Sequence, residues 1–248
     1  MLMEPQAILD RLVVLEQDVT YREPPGDGGP PFRHQPGRLP VLISAPHGAA
    51  HRRGGRYKRE DEYTSAFARL LGERTGAHVL YTFARSEDDP NFDSHSPYKT
   101  ALAELVDAGG IGFVIDLHGM SDRHRFGIAV GTMSGQSCLS HQRTEIFASL
   151  SATGFRRATA GEVREFPAMH WDRFVVDHRR FTGGVVNHTV TRFAAEELGI
   201  HAAQFELSAA LRIVRQLGKR TPPDDYRGAP TGIAQALRAF ESMVAALS

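Results

Sequence analysis

The sequence predicts an α/β fold in three layers, a mixed and mostly parallel sheet with helices on both faces, and three observations predict it. Short apolar runs alternate with segments of helical periodicity along most of the chain. Two of those runs, 41–45 and 112–117, lead into a histidine followed by glycine, His47-Gly48 and His118-Gly119. A third run, 202–207, carries a carboxylate, Glu206, close to its end. Ligands of open α/β sheets bind outside the carboxyl ends of the strands, so the pattern delivers two imidazoles and a carboxylate to one edge of one sheet.

Taken in order, Ile8, Leu9, Leu12, Val13 and Leu15 recur at near-helical spacing after Pro5, which predicts a short amphipathic helix over 5–16. Residues 24–40 hold too much proline and glycine for a helix or a central strand and read as a loop or linker. After the strand 41–45, the stretch 51–59 reads as a basic, glycine-containing loop. Glu60-Asp61-Glu62 then opens a helix whose apolar face is Tyr63, Ala66, Phe67, Leu70 and Leu71, the acids being favoured by the helix dipole. A strand over 78–83 leads to Arg85 and to Asp88-Asp89-Pro90-Asn91, a turn-rich loop at the same sheet edge. Residues 98–108 form a helix, and 113–117 the central strand, with Gly119 turning the backbone away after His118. Further strands are expected over 126–132 and 202–207, and helices over 144–150, from Val190 to a stop at Gly199, and from Ile233 to Val244. The region 155–183 reads only as an irregular excursion or edge strands.

A chain of 248 residues, with 41% hydrophobic and 23% charged residues, can bury a sizeable core without disulfide or metal staples. One domain over 1–248 is expected, in which 1–40 supplies an N-terminal helix and Pro/Gly-rich loop and 222–248 a C-terminal helix packed on the domain. Lys+Arg and Asp+Glu are both 29, so no overall field draws the chain to nucleic acid or anionic membrane. Cys138 is the single cysteine and is read as a buried thiol. No basic n-region with an apolar h-region follows Met1, and no run approaches the roughly 20 apolar residues of a membrane span. A cytoplasmic protein is expected.

Two imidazoles with carboxylates suit zinc. A hydrolytic zinc site needs three protein ligands and an open position, and His47, Asp61 and His118 would supply the ligands, with Glu60 and Glu62 as alternatives to Asp61. A carboxylate that is not a ligand must move the proton from water to the leaving amine, and Glu206 is the candidate; its alternative role is a buried ion pair with Arg212. No Gly-x-Ser-x-Gly elbow, no phosphate-binding Gly-x-x-x-x-Gly-Lys-Ser/Thr loop and no Gly-x-Gly-x-x-Gly after a strand is present. Serine hydrolase, P-loop and Rossmann chemistries lose their support.

Pro46-His47-Gly48, Glu60-Asp61-Glu62, Asp89-Pro90-Asn91, Asp116-Leu117-His118-Gly119 and Gln204-Phe205-Glu206-Leu207 together resemble the N-formylglutamate amidohydrolase family, which is similar in fold to zinc carboxypeptidases and aspartoacylase-type deacylases. The resemblance runs from about residue 41 to 213. It implies one zinc per chain held by His47, Asp61 and His118, Glu206 as the catalytic carboxylate, and Arg85 and Asn91 at positions that hold a substrate carboxylate. No arginine follows Asn91, where the family usually reads Asp-Leu-Asn-Arg, so N-formylglutamate and other N-acyl amino acids are both admitted as substrates. The rival readings are a non-catalytic carboxylate-binding module on the same fold and a carboxypeptidase-like peptidase. The expected partner is a small molecule bearing a carboxylate.

Overall fold

The computed structural model of the protein describes residues 4–215 and 228–248. In chain order its elements are α1 (Pro5–Glu16), β1 (Phe32–Gln35), β2 (Val41–Ala45), β3 (His51–Arg53), β4 (Arg56–Lys58), α2 (Thr64–Thr75), β5 (His78–Thr82), α3 (Pro97–Asp107) and β6 (Phe113–Met120). There follow β7 (Phe126–Gly131), α4 (Ser140–Ala152), β8 (Arg156–Arg157), α5 (Ala160–Glu165), β9 (His170–Val176), α6 (Val190–Glu196), β10 (His201–Ser208), α7 (Ala209–Arg212) and α8 (Pro230–Leu247). Residues 1–3 and the Thr221-Pro222-Pro223 segment ahead of α8 lie outside the described residues. Among the described residues no helix is long and apolar enough to cross a membrane.

Eight strands form one mixed sheet in the order β1-β5-β2-β6-β10-β7-β9-β8. Only β1 against β5 and β7 against β10 run antiparallel. Because successive side chains of a strand point to opposite faces, each central strand feeds two layers. Val41, Ile43, Phe113, Ile115, Leu117, Ala203, Phe205 and Leu207 pack on one face with residues of α1, α2, α4 and α8. Leu42, Val114 and Ala202 pack on the other face against Tyr98 and Leu102 of α3 and Val190, Phe193 and Ala194 of α6. The three layers expected from the sequence are these. The same alternation decides the site: Asp116 and His118 share the α3/α6 face of β6, and Gln204 and Glu206 share it on β10.

Four local expectations need correction. Within 24–40 the four residues between Pro31 and Pro36 form the edge strand β1, since prolines bar a strand only where a ladder donor is required. The basic stretch 51–59 is a hairpin, β3 and β4, turned by Gly54 and Gly55 with φ of 55° and 80°. Helix α2 starts at Thr64, not at the acids; Tyr63 adopts φ 65°, and its N–H donates to the buried Glu16 carboxylate at 2.6 Å. Glu60, Asp61 and Glu62 therefore precede the helix and point inward. Gly119 does not turn the chain either, because β6 continues to Met120, paired with Ser208. A Cβ at Gly119 would lie 2.6 Å from the Arg212 guanidinium, so the glycine admits a close approach rather than a turn. The 155–183 region resolves into β8, α5 and β9. Cys138 is buried, and burial pushes its thiol up to about 11.

Candidate active site

The three central strands carry the site. His47 follows β2, His118 lies on β6, and Glu206 on β10 stands directly beside His118 in register, as Gln204 stands beside Asp116. Asp61 comes from the turn before α2, whose backbone is tied to His47 by the Asp61 N–H donating to the His47 carbonyl at 2.8 Å.

Three atoms converge. His47 Nδ1 and His118 Nδ1 are 3.2 Å apart, and Asp61 Oδ2 lies 3.7 Å from the first and 3.6 Å from the second. Tetrahedral ligands about 2.0–2.1 Å from a zinc ion stand about 3.3–3.4 Å apart, so the triangle has the dimensions of three metal ligands. The far side of each ring is braced by a carboxylate. His47 Nε2 lies 2.8 Å from Asp89 Oδ1, and His118 Nε2 lies 3.1 Å from Asp116 Oδ2. An Nε2 proton donated by His47 to Asp89 leaves its Nδ1 lone pair facing the triangle, while His118 Nε2 meets both Asp116 and the Asn91 amide nitrogen, the latter at 2.8 Å. Asp116 is held in turn by Ser44 at 3.0 Å and Thr191 at 3.2 Å, and Asp89 by Arg53.

The electrostatics describe a site short of positive charge. Burial pulls both imidazoles down, yet Asp89 beside His47 and Asp116 beside His118 outweigh it and hold both above the usual histidine range. Burial pushes Asp61 up, and the contacts from His118 and His47 overcome it and hold the carboxyl well below its usual range. Once each ring has given up a proton, two imidazoles and one carboxylate fit a zinc-sized dication, with two further carboxylates behind the rings. His51, stacked on His47 at 3.8 Å between ring centroids, is pushed by burial down to about 3 and stays a neutral spacer.

Glu206 is buried and lines the same cleft. Burial raises its carboxyl to about 7, with His118 opposing and Asp61 adding to the rise, and Gln204 donates to its Oε1 at 2.7 Å. It is not paired with Arg212. That guanidinium donates to the carbonyls of Leu207 at 3.2 Å and of Glu62. A carboxyl poised near neutrality beside a cation site can exchange protons at ordinary pH.

The cleft, about 580 Å³, is also lined by Arg53, Lys58, Arg59 and by Arg179 to Gly184. Asn91 is in its wall, with Nδ2 2.8 Å from His118 Nε2 and Oδ1 accepting from the Val190 N–H at 2.8 Å. Arg85 is elsewhere. Its guanidinium lies over the Tyr57 ring, 3.4 Å from Glu87, and donates to the Arg22 carbonyl at 3.2 Å, and it is not among the residues lining the cleft. Of the three neighbouring acids only Asp61 meets the imidazoles; Glu60 accepts from Arg22 at 3.1 Å, and Glu62 faces the buried Glu16 and Tyr63.

Sequence reasoning missed Asp116 and Asp89 as braces and Arg179 and Arg180 as wall. Asp116 was legible, since it stands two residues before His118 on the same face of a strand. The arginines were not, because they sit in the segment 155–183 that showed no period.

A profile of the N-formylglutamate amidohydrolase family matches residues 84–212, just over half of the chain and the part that contains Asp89, Asn91, His118 and Glu206. No curated protein sequence matches the chain. Among solved structures, N-formylglutamate amidohydrolase from Ralstonia eutropha is similar over 88% of this chain and 97% of its own, at 15% identity and a TM-score of 0.56. A bacteriophage poly-gamma-glutamate hydrolase aligns over 86% of this chain and 88% of its own at 15% identity, TM-score 0.41. A metallo-carboxypeptidase from Burkholderia cenocepacia aligns over 90% of this chain and 58% of its own at 14% identity, TM-score 0.44.

Proposed function

Because the chain belongs to the N-formylglutamate amidohydrolase family and is thus of a hydrolase lineage, we propose that it is a zinc-dependent amidohydrolase acting on the amide of an N-acyl amino acid that bears a carboxylate. The observation that carries this reading is the triangle of His47 Nδ1, His118 Nδ1 and Asp61 Oδ2, with sides of 3.2, 3.6 and 3.7 Å. In it, His47, Asp61 and His118 hold one zinc ion. Zinc supplies a Lewis acid that brings the pKa of water to about 7 and polarises a carbonyl.

Glu206 does the proton work. Its carboxylate takes a proton from the attacking water and returns it to the nitrogen of the leaving amine as the carbon–nitrogen bond breaks, so the products are a carboxylic acid, formic acid for a formyl substrate, and a free amino acid. Gln204, donating to Oε1, holds the Glu206 side chain in the cleft wall. Asp89 and Asp116 hold the rings of His47 and His118 in place from behind. Arg179 and Arg180, in the cleft wall, bind the substrate carboxylate, a role that Arg85 is too far out of the lining to fill, and Asn91 contributes its amide.

The test combines elemental analysis with a screen of N-formylglutamate, other N-acyl amino acids and short peptides, reading released amine. About one zinc per chain, with turnover lost on chelation and restored by zinc, is the expected result. A protein that binds N-acyl amino acids yet takes up no metal and releases no amine would be a carboxylate-binding module instead.

A further inference from the structure

A second cavity, about 910 Å³ and larger than the cleft that holds the triangle, abuts it and shares Arg179 and Arg180 with it. Its other basic residues include Arg123, Arg125, Arg157 and Arg164. None of these six guanidiniums has an acidic partner among the described residues. Arg125 donates to the Phe166 carbonyl at 2.6 Å, Arg123 to the Ser121 hydroxyl at 3.3 Å, and Arg157 lies over the Phe147 ring. The single acid in the lining, Asp177, is engaged by the Thr132 N–H at 2.6 Å and hydroxyl at 2.8 Å. Outside this lining, Arg156 and Arg173 pair with Asp172, and Arg192 with Glu196. A chain with equal numbers of acids and bases has thus gathered unpaired cations at one place.

The floor is apolar, formed by Ala158, Val163 and Val175. His124 and His178 report the field there: burial, and then the charges around them, Arg179 and Arg180 included, hold both below the usual histidine range. An amino acid with a one-carbon acyl group is far smaller than a cleft of about 580 Å³, which already lies in the range that buries a drug-sized ligand.

We propose that this cavity is a second subsite that takes an anionic group of the substrate remote from the scissile amide, so that the preferred substrates are extended N-acyl compounds with two or more separated carboxylates or phosphates. This deepens the amidohydrolase reading and rests on it for the word substrate. The apolar part joining the anions lies on Ala158, Val163 and Val175, and Arg179 and Arg180 stand where the two cavities join.

Calorimetric titration of the chelator-treated full chain at low salt tests this without turnover. The probes are N-acetyl-glutamate, N-acetyl-triglutamate, N-acetyl-Glu-Gln-Gln and N-acetyl-Glu-Glu-phosphoserine. N-acetyl-triglutamate should bind about tenfold or more tightly than N-acetyl-glutamate, and Arg123→Gln/Arg157→Gln/Arg164→Gln, three exposed positions, should remove that advantage, weakening the long probe about tenfold to a hundredfold for three lost ion pairs. The corresponding lysine variant should recover part of the loss. A tighter phosphoserine probe supports the subsite and assigns it to phosphate; a weaker one supports it and assigns carboxylate. Equal affinity of N-acetyl-Glu-Gln-Gln and N-acetyl-triglutamate, unchanged binding in the glutamine variant, or equal weakening of the short and long probes would overturn the proposal. If the zinc-loaded protein hydrolyses none of the probes while the arginine dependence persists, the amidohydrolase reading fails and the anion subsite stands.

Discussion

Two buried groups of acids meet at the turn 60–63, and they use burial in opposite ways. On the cleft side, Asp61 and Asp89 face imidazoles, and those contacts overcome burial and keep both carboxyls ionised. On the other side, Glu16 is nearly inaccessible, accepts from the Tyr21 hydroxyl and the Tyr63 N–H, and is raised by burial to about 7, with those two donors and Arg212 opposing. The second group joins elements: Glu16 of α1 clamps the turn, the Tyr63 hydroxyl donates to the Arg215 carbonyl at 2.8 Å, and Arg212 of α7 reaches the Glu62 carbonyl. A buried carboxylate is therefore no mark of function by itself. What it faces decides, an open cleft with imidazoles in one case and tyrosines in an enclosed joint in the other.

The largest expected effect breaks the cleft side. His118→Ala or His47→Ala should remove most of the zinc and all measurable turnover, because one of three ligands is lost; elemental analysis of both variants checks it, and unchanged stoichiometry in both would remove the site. Next comes Glu206→Gln, which keeps size and one acceptor oxygen. It should retain zinc and fold while kcat falls about 10²–10⁴-fold with KM little changed. Since a base must shed its proton to act, wild-type kcat/KM should rise with pH through an inflection at or below about 7, a bound cation being able only to lower the Glu206 value. A variant with normal kcat would return Glu206 to a structural role.

A smaller loss is expected from Asp116→Asn or Asp89→Asn. Either weakens the brace behind one ring and should cost about 10–100-fold in zinc affinity, read by competition with a chromogenic chelator. Glu16→Gln sharpens the comparison from the other side. Wild-type Glu16 is protonated in both states below about 4.5; between 4.5 and about 7 the unfolded chain ionises and the folded one does not, so its contribution to stability falls as pH rises, by roughly 3 kcal/mol at most, and is constant above. The variant should gain on wild type in thermal unfolding across that window, with zinc content unchanged. Parallel curves would mean that Glu16 is not buried as an acid.

The layers of the fold and the strand-end positions of three candidate residues were legible in the sequence. Short apolar runs are local signals, and a histidine or glutamate at the end of such a run is carried to the sheet edge by chain connectivity alone, which is why the placement of His47, His118 and Glu206 could be read in advance. Asp61 could be narrowed only to one of three acids. The choice among them depends on the left-handed Tyr63, and that backbone is held by Glu16, 47 residues away. Gly119 misled for a related reason: its need arises from Arg212, which arrives through another element, and a residue's own neighbours in sequence carry no trace of it. Arg85 and the pair Arg179 and Arg180 are alike as residues in aperiodic stretches between regular elements. Only packing put Arg85 over Tyr57 and the pair at the cleft wall, because the course of a loop is settled by the surfaces it lies on rather than by a repeat within it.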